Sequence, residues 1–102
     1  MAKTIPAFSS GDTIRFRVLF ELAGTAIDPD GVVFRIKNPN KVVTSYTYLT
    51  DDELVKVSTG LFQIHLALSL PGEHAFRWEG TGTAAPGISE DRVRINRSMV
   101  LG

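Results

Sequence analysis

Ile14-Arg15-Phe16-Arg17-Val18-Leu19-Phe20 is the stretch on which the fold turns. Ile14, Phe16, Val18 and Phe20 occupy alternate positions, with Arg15 and Arg17 between them. Side chains of an extended chain point alternately to two faces. This pattern therefore predicts a strand with one face buried and the other in water. The same arrangement recurs on moving outward. Val32-Phe34-Ile36 opposes Arg35 and Lys37, and Phe62-Ile64-Leu66-Leu68 opposes Gln63 and His65. Phe76-Trp78 and Val93-Ile95 repeat it. Strands are expected over 13–22, 32–37, 42–48, 54–57, 61–69, 73–79 and 90–97. The segments between them are rich in turn formers. Ile27-Asp28-Pro29-Asp30-Gly31 is the densest, with Pro presetting φ and Gly accepting a positive one. Asn38-Pro39-Asn40-Lys41 reads as a hairpin-like turn, and Asp51-Asp52-Glu53 as an exposed acidic segment with room for one helical turn. The small residues of 80–89 read as a long flexible loop.

Several antiparallel strands in 102 residues fit an all-β domain, an immunoglobulin-like antiparallel β-sandwich of about seven strands, with a small barrel as the competing architecture. The length suits one domain. Residues 1–10 read as an N-terminal arm kept irregular by Pro6 and Ser9-Ser10, 11–98 as the sandwich and 99–102 as a short apolar tail. Each large apolar side chain contributes roughly 1.5–3 kcal/mol when fully buried, so the core needs no staple. There are no cysteines, which excludes disulfides and thiolate metal sites. Eleven basic and eleven acidic residues cancel, which argues against electrostatic capture of nucleic acid. No apolar run approaches the roughly 18 residues of a membrane helix. The first residues lack the apolar core of a secretory signal, so a cytosolic start is expected.

Catalytic chemistry is not legible. Serines are scattered, no G-x-S-x-G is present, and neither His65 nor His74 sits in a nucleophile arrangement. Both histidines read as surface residues. Zinc would need further ligands such as Glu73 or Glu79. The acids at 28, 30 and 51–53 lack the EF-hand spacing, and Gly80-Thr81-Gly82-Thr83 lacks the lysine of a phosphate loop. No cofactor is implied. The candidate sites are protein contacts. Arg15, Arg17, Arg35, Arg77, Arg92, Arg94 and Arg97 fall on outward faces. They form either a solvated sheet face or a surface for a partner protein, where Arg is enriched. Tyr46 and Tyr48 either complete the core or anchor an interface. Ile5 and Phe8 in the arm, like Met99-Val100-Leu101 in the tail, either fold back as an edge strand or add to a neighbouring subunit. The protein-binding set is thus Ile5, Phe8, Arg15, Arg17, Arg35, Tyr46, Tyr48, Arg92 and Arg94.

Three runs carry a resemblance: Gly11-Asp12-Thr13 with Phe16 and Val18; Ile27 through Pro39; and Tyr46-Thr47-Tyr48 with Asp51. Ser58-Thr59-Gly60-Leu61-Phe62 and Pro71 through Gly80 extend it. Their order over about residues 11–97 resembles small immunoglobulin-like proteins of tailed-phage and prophage structural-gene regions. It is a pattern of turn and core residues and carries no catalytic signature. The resemblance implies a non-enzymatic virion protein. It would be a capsid decoration or cement protein binding the major capsid protein, self-associating on the particle and waiting in the host cytoplasm before assembly. Neither nucleic acid nor membrane is an expected partner. A tail, baseplate or head–tail connector subunit is the alternative within the virion. A carbohydrate- or cell-surface-binding module is the alternative outside it, with Trp78 as its aromatic platform, although the phase of Trp78 with Phe76 places it in the core.

Overall fold

The computed structural model describes residues 7–82 and 87–97. Ten strands form in chain order: β1 (Ala7–Ser9), β2 (Thr13–Leu19), β3 (Glu21–Leu22), β4 (Thr25–Ala26), β5 (Gly31–Lys37), β6 (Val43–Thr47), β7 (Leu54–Ser58), β8 (Leu61–Ala67), β9 (Gly72–Thr81) and β10 (Gly87–Asn96). One sheet has the order β1-β10-β9-β5-β6, the other β2-β8-β7, and β3 pairs β4 as a small hairpin. The order β10-β9-β5-β6 facing β2-β8-β7 is that of strands G-F-C-C′ facing B-E-D. This is an immunoglobulin-like sandwich. Every pairing is antiparallel except β1 with β10, which is parallel.

The alternating residues build the core as their period dictates. Ile14 and Phe16 from β2, Val32, Phe34 and Ile36 from β5, and Phe62 and Ile64 from β8 are buried together with Trp78, Val93 and Ile95. In antibody domains strands B and F are tied by a disulfide against a Trp on strand C. The corresponding strands β2 and β9 are joined instead by Phe16 and Phe76, whose rings meet edge-on at 4.8 Å. Phe34 of β5 packs against Phe16 at 5.2 Å and Trp78 at 4.7 Å. Aromatic contacts of this geometry contribute about 0.5–1.5 kcal/mol each beyond their buried area.

Four expectations need correction. The first strand does not run through residue 22. It stops at buried Phe20, whose N–H donates to Gly60 O at 2.8 Å while its own carbonyl accepts from Ile27 N–H. The chain then turns through Ala23 and Gly24, both at positive φ, as a two-residue hairpin requires. The loop over 80–89 is shorter than expected. β9 continues to Thr81 because Gly31 of β5 pairs with it, and Gly87 and Ile88 pair with Gly80 and Glu79. Asp51–Glu53 forms turns rather than a helical turn. The arm is not irregular throughout. Ala7–Ser9 is strand β1, and Phe8, opposite Ile95, packs against the core. Ile5 and the 99–102 tail lie outside the described residues.

Candidate protein-binding surface

β2 ends one sheet, and β1 covers β10 of the other only from Arg94 to Asn96. The two sheets therefore leave an open side, where β2 faces the rest of β10. A cleft of about 310 Å³ lies there. Its floor is Phe8, Phe16, Phe76 and Val93, and its rim carries Arg15, Arg17, Asp91 and Arg92. A second hollow of about 160 Å³ lies between the C-terminal end of β2 and the start of β10, with Leu19 and Ile88 on its lips. These two side chains are 49% and 62% exposed. The structure thus brings together Phe8, Arg15, Arg17 and Arg92 of the expected set. The alternating pattern marks Arg15 and Arg17 as outward, but only the position of β2 at a sheet edge lets them rim a cleft. Leu19 and Ile88 were not in the set. Ile88 sits in a stretch that reads as loop, and an isolated Ile among small residues is its one sequence signal.

The other members are held apart. Arg35 and Arg94 lie on the outer face of the β1-to-β6 sheet. Arg35 Nε donates to Glu79 Oε2 at 2.7 Å, and Arg92 Nη1 to Glu73 Oε1 at 3.0 Å. Arg17 holds the side chain of Gln63, its cross-strand neighbour on β8 in the same sheet, with its Nη2 at 2.7 Å from Oε1. The arginines therefore do not form one face with the tyrosines. Tyr46 turns inward beside Phe34, and Tyr48 packs edge-on against Phe62 at 5.1 Å. Both rings complete the core from its margin, because Tyr46 in β6 and Tyr48 just beyond it share the parity of Phe34 and Ile36. Burial, with the carboxylates of Glu53 and Asp51, raises the Tyr46 hydroxyl above the usual tyrosine range. Trp78 is 1% exposed and offers no platform to a sugar.

His74 also departs from expectation. It was read as a surface residue, yet it is buried at the start of β9, opposite Val93. It takes an inward position on β9, and its Nδ1 has no hydrogen-bond partner among the described residues. Burial lowers its pKa, with the nearby Gly72 backbone acting in the opposite sense. A base whose folded pKa is depressed binds its proton more readily in the unfolded chain. Stability is therefore complete above the unfolded value near 6.5 and declines as pH falls below it. Thermal melts at pH 7.5 and 5.5 are expected to show a lower melting temperature at the acid pH. His74→Phe is expected to reduce that difference. An equal pH dependence in the variant would remove His74 as its source.

Among the described residues no group of three or more potential metal ligands converges. No family model matches the chain, and no curated protein matches it. Among solved structures, the chain resembles the Ig-like domain of human leucine-rich repeat-containing protein 4. The likeness has 15% identity and a TM-score of 0.44, and covers 96% of this chain and 85% of that one.

Proposed function

We propose that this protein is a non-enzymatic virion subunit that decorates the major capsid protein of a tailed phage. The cleft between β2 and β10 would be its contact surface. The single observation that carries a protein-binding role is this cleft. An apolar floor with Arg15 and Arg17 on one lip, Asp91 and the Glu73-paired Arg92 on the other, and exposed Leu19 and Ile88 beyond, suits an apolar side chain with an acidic neighbour on a partner protein. The virion setting rests on the resemblance of residues 11–97 to immunoglobulin-like proteins of phage structural regions. Many copies on a shell multiply a modest contact through symmetry.

The test is rebinding to capsids that lack the protein, measured by co-sedimentation. The double variant Arg15→Glu/Arg17→Glu is expected to lower occupancy by about tenfold or more, since charge reversal at an interface places like charges together. Unchanged occupancy would remove the cleft as the contact. No binding by the unmodified protein, with its density found on the tail axis of intact particles, would move it to the tail or connector. An arm truncation must end at Pro6, because Phe8 belongs to the folded domain.

A further inference from the structure

Among the described residues the two long sheets end on four strands, and three of them carry a device that discourages pairing. β1 is three residues long. β2 presents Arg15 and Arg17. β7 carries Lys56 and loses register between Lys56 and Ser58. Short strands, charges and irregularities are the usual protections of an exposed edge. The fourth edge, β6, has none of these. Val42-Val43-Thr44-Ser45-Tyr46-Thr47-Tyr48 contains no charge, no Pro and no Gly, and consists of residues that favour strands. Val42 and Val43 are more than half exposed.

The hydrogen bonds show which atoms of this edge are free. Asn38 N–H donates to Val42 O, and Tyr48 N–H donates to Val32 O. Even-numbered residues of β6 therefore turn their backbone groups to β5, and Val43, Ser45 and Thr47 turn theirs outward. Thr47 is already satisfied. Its N–H donates to Asp51 Oδ2 at 2.8 Å, and its carbonyl accepts from Thr50 and Asp51. Among the described residues, Val43 and Ser45 are the positions of β6 whose outward donors and acceptors have no partner.

We infer that β6 pairs antiparallel with β6 of a second copy of this chain, joining two five-stranded sheets across a two-fold axis. The inference is independent of where the protein works. Two residues that exchange both backbone bonds lie opposite each other. Val43 therefore faces the partner's Ser45, and Ser45 faces the partner's Val43. Thr44 lies on the axis against the partner's Thr44. Tyr46 then meets the partner's Val42 on the inward face, an aromatic and β-branched pair beside a Thr–Thr pair, both favoured across strands. The same face holds a hollow of about 220 Å³ lined by Val42, Thr44, Tyr46, Leu66 and Leu68, which the partner strand would roof. The occupant is a copy because the edge is neutral. It offers nothing to a charged strand, and an identical neutral edge meets it without repulsion. A contact using one patch on both subunits also closes at two.

The chain has no cysteine, so the register can be read by cross-linking. Facing residues of a non-hydrogen-bonded pair lie about 4.5 Å apart at Cα, within disulfide range. Under mild oxidation Thr44→Cys is expected to form a covalent dimer about tenfold or more faster than Ser45→Cys, which the register sets too far from its copy. Sedimentation of the unmodified chain should show a monomer–dimer equilibrium that Ser45→Pro shifts to monomer, because proline removes an outward N–H that β5 does not use. Equal cross-linking rates for the two cysteine variants would overturn the inference. So would a monomer at every concentration, including one whose edge takes a strand of another protein, or a dimer indifferent to a folded Ser45→Pro variant. Should Ser45→Pro fail to fold, the cysteine pair decides alone.

Discussion

Phe34→Ala is expected to cost about 3–5 kcal/mol, the range for emptying a buried phenylalanine site. Phe34 has no exposed surface and is surrounded by Phe16, Phe76, Trp78 and Tyr46, at centroid distances from 4.7 to 6.4 Å. Its removal leaves a hole between two sheets whose other aromatic rings are already in contact, so collapse can recover little. Domains of this kind hold about 5–15 kcal/mol in all, and small ones sit low in that range. Urea denaturation followed by Trp78 fluorescence is expected to show the midpoint fall by about 2 M, given a slope of 1–3 kcal/mol per molar. Phe34→Leu, which keeps most of the volume, is expected to lose less than half as much. A cost for Phe34→Ala below about 1 kcal/mol would mean that the aromatic cluster is not what joins the sheets.

Gly60→Ala is expected to lose about 3 kcal/mol, combining left-handed strain with a clash against backbone. Gly60 sits at φ +75, between β7 and β8, and a Cβ there would stand 2.6 Å from Phe20 O and 2.9 Å from Ile27 O. Backbone oxygens in a paired segment cannot swing aside. The same residue accepts from Phe20 N–H and donates to Asp28 Oδ1 at 2.7 Å. Asp28 also binds Lys56 at 2.6 Å, and that bond, followed by the Gly60 contact, holds its carboxyl below the usual range. Gly24→Ala is the control. Its φ is +82 but open space surrounds it, so only the strain of about 1–2 kcal/mol is expected. Equal losses at the two positions in thermal melts would show that the close approach at Gly60 contributes nothing. A larger loss at Gly60 would place the clash where β2 leaves the sheet, beside Leu19 and the candidate contact surface.

Most of the strand content was legible because burial on one face imposes a period of two. Val32, Phe34 and Ile36 could be assigned inward without knowing what they would touch. Where the period lapses, the reading failed. Gly80, Gly87 and Ile88 carry no alternation, so their strand character came from the neighbours that pair with them. Phe8 could fold back as an edge strand or add to a neighbouring subunit, and β10 supplies the edge against which it folds back and is half-buried. His74 was misjudged because a polar residue was assumed to face outward, although its place two residues before Phe76 put it in phase with the core.

The candidate sites divide along the same line. The sequence alone determined an all-β chain with a cysteine-free aromatic core, arginines on outward positions and an uncharged stretch at 42–48. These follow from side-chain chemistry and period, which are local. Only the tertiary structure decided that Arg15, Arg17 and Arg92 share a cleft while Arg35 and Arg94 lie elsewhere, and that 42–48 contains an edge strand. Which strands end a sheet, and which edges are left open, depends on pairings between segments far apart in the chain. No local pattern of side chains encodes that order.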